Sequence, residues 1–162
     1  MQKTTQKYII HDEKELDDID ISLTPGDRIF FVWDLGAGKS TFIRHILRRY
    51  MNDPSLVVRS PTYTYYQKYQ KNCELWIVNF ELQKIKPELT INNLAFTIYH
   101  FDLYRLEDYD TFISIGGEEI IEDARSICLI EWPEILGDAV VYTKKISIEV
   151  MEDGGREVVI EE

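Results

Sequence analysis

An apolar run of strand length, Arg28-Ile-Phe-Phe-Val32, runs into a glycine-bearing loop, and the loop leads to a segment with Phe42, Ile43, Ile46 and Leu47 at helical spacing. A continuous apolar run belongs to a strand covered on both faces, hence to the middle of a parallel sheet. The helix predicted over 39–51 then packs back on that sheet. The connecting stretch, Trp33-Asp34-Leu35-Gly36-Ala37-Gly38-Lys39-Ser40, matches the phosphate-loop pattern G-x-x-x-x-G-K-[ST] at three of its four fixed positions. Gly36 and Gly38 let backbone N–H groups turn inward around phosphates, and the helix start near Lys39 points its positive end at them. Lys39 suits the β and γ phosphates. The Ser40 hydroxyl suits a Mg²⁺ that keeps most of its octahedral shell as water and phosphate oxygen. Asp34, Leu35, Ala37 and Thr41 complete the stretch predicted to bind the nucleotide. The plainer alternative is a glycine turn that only caps a helix, and the strand before and helix after argue against it.

The discordant position is Trp33, where the pattern has its first glycine. A residue with a Cβ has a narrower range of backbone angles there, and an indole takes up space beside the nucleotide. Three accounts stand. The loop tolerates the ring by turning it outward, or the site is degenerate, or the residue is a misread glycine. The last is possible in principle because the codons differ by one base and some bacterial lineages read UGA as glycine.

Along the rest of the chain, strands are predicted at 6–10, 62–69 and 74–80, with Lys71-Asn72 as a hairpin tip. A short helix is predicted at 12–17, behind an acidic start, and another near 107–113. Phe96-Thr-Ile-Tyr-His-Phe101 and Ser126-Ile-Cys-Leu-Ile130 are further apolar runs, and the stretches 144–151 and 156–160 flank Asp153-Gly-Gly155 as a closing hairpin. Strands alternating with helices predict an α/β fold, a mixed sheet of the P-loop NTPase kind flanked by helices, with antiparallel edge hairpins. No repeat or linker divides the 162 residues, so a single domain is expected, with an apparent insertion around 70–95.

Asp102 and Glu131 each end an apolar run. In a parallel sheet both emerge at the carboxyl edge, where the loop also lies. One suits Mg²⁺, directly or through water, and the other the attacking water of a hydrolysis. Spacing does not assign the two roles, and either acid could instead cap a following helix. His100 reads as a hydrogen-bonded core histidine, Arg105 as one half of a surface salt bridge, and Cys73 and Cys128 as packing residues. Tyr63, Tyr65, Tyr66 and Tyr69 have only Lys68 and Lys71 near them, which suits sheet packing or a protein interface.

The formal charge is −11, from 18 basic and 29 acidic residues. Such a balance disfavours a broad grip on nucleic acid or an anionic membrane. With no apolar stretch of bilayer length and no secretory leader pattern at the start, the reading is cytoplasmic.

Four blocks occur in order: Asp34-Leu-Gly-Ala-Gly-Lys-Ser40, Ser60-Pro-Thr-Tyr-Thr64, His100-Phe-Asp-Leu-Tyr-Arg-Leu106 and Leu129-Ile-Glu-Trp-Pro-Glu134. Together they resemble the signature blocks of the TsaE (YjeE) family, small ATPases of bacterial tRNA threonylcarbamoyladenosine synthesis. The resemblance covers about 25–134. It implies ATP and Mg²⁺ as cofactors, Glu131 near the metal, and Asp102 in catalysis with Lys39. It also implies Thr62 in a switch-like loop, giving its hydroxyl to the metal or γ phosphate, and Trp132 beside the adenine. The partners it implies are TsaD and TsaB, which transfer threonylcarbamoyl to an adenosine of tRNAs reading ANN codons, so that tRNA is met only indirectly. Intrinsic turnover is then weak, as for a site without an arginine finger, an element worth about 10³ to 10⁵ in rate. Trp33 departs from the family's glycine, the segment before Pro25 is short, and 70–95 is longer than the usual hairpin. A small-molecule or nucleotide kinase on the same loop, and a non-hydrolysing partner-binding module disabled by Trp33, remain as alternatives.

Overall fold

The computed structural model describes residues 4–33, 38–70 and 96–162. Its strands are β1 (Thr5–Ile10), β2 (Arg28–Trp33), β3 (Tyr66–Gln70), β4 (Thr97–Asp102), β5 (Ser126–Glu131), β6 (Lys144–Val150) and β7 (Arg156–Glu161). They form one sheet in the order β1-β7-β6-β2-β5-β4-β3. The middle strands β6, β2, β5 and β4 are parallel. At the edges β7 pairs antiparallel with both β6 and β1, and β3 pairs antiparallel with β4. This is the mixed sheet with antiparallel edges that the sequence predicts.

Because successive strand residues face opposite sides, the apolar runs feed two cores at once. On one face, Ile29, Phe31, Ile127, Leu129, Ile146 and Ile148 pack with Phe42, Ile43, Ile46 and Leu47 of α1 (Lys39–Met51). On the other, Phe30, Phe101, Cys128 and Ile130 pack with Phe112 of α2 (Tyr109–Ser114) and Ile121 of α3 (Gly117–Glu122). Each such side chain contributes about 1.5–3 kcal/mol when fully buried. Cys128 is a packing residue as predicted, and burial pushes its thiol up to about 12. No helix among the described residues is long and apolar enough to cross a membrane.

Three local readings change. The short helix predicted at 12–17 is a 3₁₀ segment, Glu13–Asp18, in which the Asp12 carboxylate accepts from the Lys14 N–H and only Leu16 is buried. With one apolar anchor, little favours a longer regular helix. The strand predicted at 62–69 starts four residues later, at Tyr66, because the Thr64 N–H turns back to the Pro61 carbonyl at 2.9 Å and Tyr65 has φ 64°. The segment after Glu131 holds a second 3₁₀ stretch, Pro133–Ala139, which the sequence did not suggest. The predicted strand at 74–80, its Lys71-Asn72 tip and Cys73 lie outside the described residues.

Candidate functional site

The glycine-bearing stretch follows β2, which ends at Trp33, and α1 begins at Lys39 with Gly38 as its N-cap. Gly38 has φ +96°, a left-handed conformation that costs glycine no steric strain. A Cβ there would come within 3.5 Å of the Arg156 guanidinium. In the first turn the Thr41 N–H donates to the Gly38 carbonyl at 3.1 Å, and the amides ahead of it have no acceptor within the helix, as at any helix start. Ser40 is exposed and Thr41 half-buried in that turn. Asp34, Leu35, Gly36, Ala37 and the Lys39 side chain lie outside what the structure describes.

Trp33 does not turn its ring outward. The indole is 8% exposed, with its centroid 5.1 Å from that of Phe31 and 6.3 Å from that of Phe42. It fills the core under α1. Its Nε1 is buried without a hydrogen-bond partner among the described residues.

Asp102 and Glu131 are register partners at the ends of β4 and β5, and Glu131 is also paired with Phe31 of β2. The row continues Ile98, His100 and Asp102 on β4 and Ile127, Leu129 and Glu131 on β5, and its apolar members belong to the core that α1 covers. Both acids therefore sit on the α1 side, at the carboxyl end of the parallel strands, as the sequence predicts. Both are buried, at 4% and 3% exposure. Buried carboxylates require partners, and both have them. The Ser60 and Thr62 hydroxyls donate to Asp102 Oδ2 at 2.9 and 2.6 Å, and the Tyr104 N–H donates to Oδ1 at 3.2 Å. The His100 Nε2 lies 2.7 Å from Glu131 Oε1.

Trp132, in a left-handed conformation with φ 57°, packs with the core on the face away from α1, its ring 5.0 Å from Tyr104. Arg105 sits over the exposed Tyr63 ring at 4.2 Å, and among the described residues it forms no salt bridge of the kind predicted. Tyr65 and Tyr66 pack against the α2–α3 core and Tyr69 is buried, which answers to the sheet-packing reading.

A cavity of about 160 Å³ opens beside the α1 start, lined by Asp12, Glu13, Gly38, Thr41, Phe42 and Arg156 among others. Arg156, Asp12 and Glu13 carried no motif signal. They come from strands and turns remote in the chain, and only the β1-β7-β6-β2 order brings them to the loop. Among the described residues no group of three or more His, Cys, Asp and Glu side chains gathers to hold a metal unaided. The oxygen set of Ser40, Thr62 and Glu131 suits Mg²⁺, which takes few protein ligands and draws the rest from phosphate and water.

The profile of the family described as "Threonylcarbamoyl adenosine biosynthesis protein TsaE" matches residues 10–158. The tRNA threonylcarbamoyladenosine biosynthesis protein TsaE of Rickettsia felis is 31% identical over 136 residues, which is 83% of this chain and 65% of that protein. The protein of the same name from Treponema pallidum is 36% identical over 73 residues, 44% of this chain and 53% of that one. The chain thus spans about half to two thirds of the length of these relatives. The crystal structure of Bacillus subtilus YdiB matches with a TM-score of 0.59 at 20% identity, covering 99% of this chain and 87% of that one, a likeness of fold. With a profile that matches most of the chain, the chain belongs to the TsaE family.

Proposed function

We propose that the chain binds Mg-ATP at the 33–41 loop and hydrolyses it slowly, in the service of tRNA threonylcarbamoyladenosine synthesis by TsaD and TsaB. The observation that carries this reading is the pair of buried carboxylates, Asp102 and Glu131, side by side at the loop's edge of the sheet. Burying two acids next to each other is costly without a cation nearby. Mg²⁺ supplies that charge when bound and polarises the terminal phosphate.

Lys39, the α1 amides and Ser40 hold the phosphates in this reading, Glu131 and Ser40 face the metal, and Thr62 joins them when nucleotide is present. Asp102 accepts a proton from the attacking water. In the structure its Oδ2 already accepts from two hydroxyls, so the 60–64 loop must move before water can use that oxygen. That requirement favours slow intrinsic turnover and stimulation by partners that shift the loop. The cavity along Gly38, Thr41 and Arg156 is the better seat for the base, because it adjoins the helix start directly. Trp132, on the other face, remains a second seat to be tested.

The inward Trp33 ring supports the active reading over a degenerate module, since the core rather than the phosphate loop accommodates the indole. Phosphate release should be measured with and without TsaD and TsaB. The unaltered chain is expected to turn over faster with the partners, and Asp102→Asn to lose at least tenfold in rate, on the scale of lost acid–base catalysis, while keeping ATP affinity. Wild-type turnover in Asp102→Asn removes Asp102 from catalysis, and phosphate transferred to an added acceptor instead of water would make the chain a kinase.

A further inference from the structure

We infer that His100 is a positioning residue for Glu131, fixing one carboxylate oxygen so that the other serves the nucleotide's divalent cation. The inference rests on the reading that Glu131 faces the metal. His100 pairs in register with Leu129, and its imidazole reaches one step diagonally along β5 to Glu131. The contact is 2.7 Å long and almost sealed from solvent, with His100 at 1% and Glu131 at 3% exposure. A carboxylate that holds a metal only accepts, so in this arrangement Nε2 is the donor. His100 Nδ1 is buried with no hydrogen-bond partner among the described residues. The ring is therefore tied to the protein's polar groups through Glu131 alone among the described residues, and no hydrogen bond among them engages Glu131 Oε2.

Packing by itself does not account for this arrangement. An apolar residue at 100 would fit the row of Ile98, Ile127 and Leu129 without a buried, half-satisfied ring. A hydrogen bond from an outer partner orients a carboxylate for a metal, and losing such a partner typically costs about 10- to 100-fold in metal affinity.

The test compares ATP binding in EDTA, which reads the loop and the fold, with the Mg²⁺ concentration giving half-maximal enhancement of that binding. Mn²⁺ binding to the ATP complex, followed by electron paramagnetic resonance, gives a second readout. In His100→Leu the EDTA affinity should hold and the Mg²⁺ midpoint should rise about tenfold or more. In His100→Gln, whose amide can still donate to Oε1, the midpoint should return close to wild type. A midpoint within about twofold of wild type in a folded His100→Leu overturns the inference. Should that variant fail to fold, His100→Asn serves against His100→Gln, since the shorter amide falls short of Oε1. Unequal midpoints support positioning, and equal ones overturn it. Glu131→Gln separates the two levels of the argument. If it abolishes the Mg²⁺ dependence while His100→Leu leaves it intact, only the role of His100 fails, whereas an unchanged Mg²⁺ dependence in Glu131→Gln overturns the metal reading and this inference with it.

Discussion

Trp33 illustrates how a single side chain can move a question from function to stability. Its ring occupies core space against Phe31 and Phe42, so Trp33→Gly restores the loop pattern and empties that space. Large-to-small changes of buried aromatics cost about 3–5 kcal/mol. Denaturant unfolding of Trp33→Gly should show a loss of that size, and unchanged stability would mean the indole is not part of the core. The motif flagged the residue but could not orient it, because the direction of a side chain at a strand end depends on register. Once Phe31 pairs with Glu131, the period of two puts Trp33 on the α1 side. The place of Asp102 and Glu131 at the carboxyl end of the sheet was legible because each ends an apolar run of strand length. Arg156 was not legible, for nothing local sets it apart from a surface cation, and its place beside Gly38 follows from the β7 pairing.

Among the elements, those with long apolar runs were legible, and those made by single contacts were not. β2, β4 and β5 are buried on both faces and fall where the runs fall. β3 starts late because the Thr64 N–H turns back to the Pro61 carbonyl, while the Ser60 and Thr62 hydroxyls hold this stretch on the Asp102 carboxylate. α3 begins at Gly117, in a pair of glycines that reads as a loop, and its start is set by packing. A Cβ on Gly117 would run into the Phe112 ring, which is fully buried. Gly117→Ala gains at most about 1 kcal/mol of helix propensity, whereas overpacking a fixed core costs about 1–3 kcal/mol. The clash should win, so the thermal midpoint of Gly117→Ala is expected to fall. A rise would mean that α2 and α3 yield without cost.

For the whole molecule, two features act together: a net charge of −11 and the start of α1, the phosphate seat in the proposed function. A phosphate ligand must overcome long-range repulsion, which in the proposed function the helix start, Lys39 and Mg²⁺ offset locally. A partner with a basic face gains from the same field. Nucleotide binding at the loop is tested most directly by calorimetric titration of Mg-ATP into the unaltered chain and into Lys39→Ala. Saturable one-site binding that weakens at least tenfold in Lys39→Ala is the predicted result. No binding, or binding indifferent to Lys39, would contradict it.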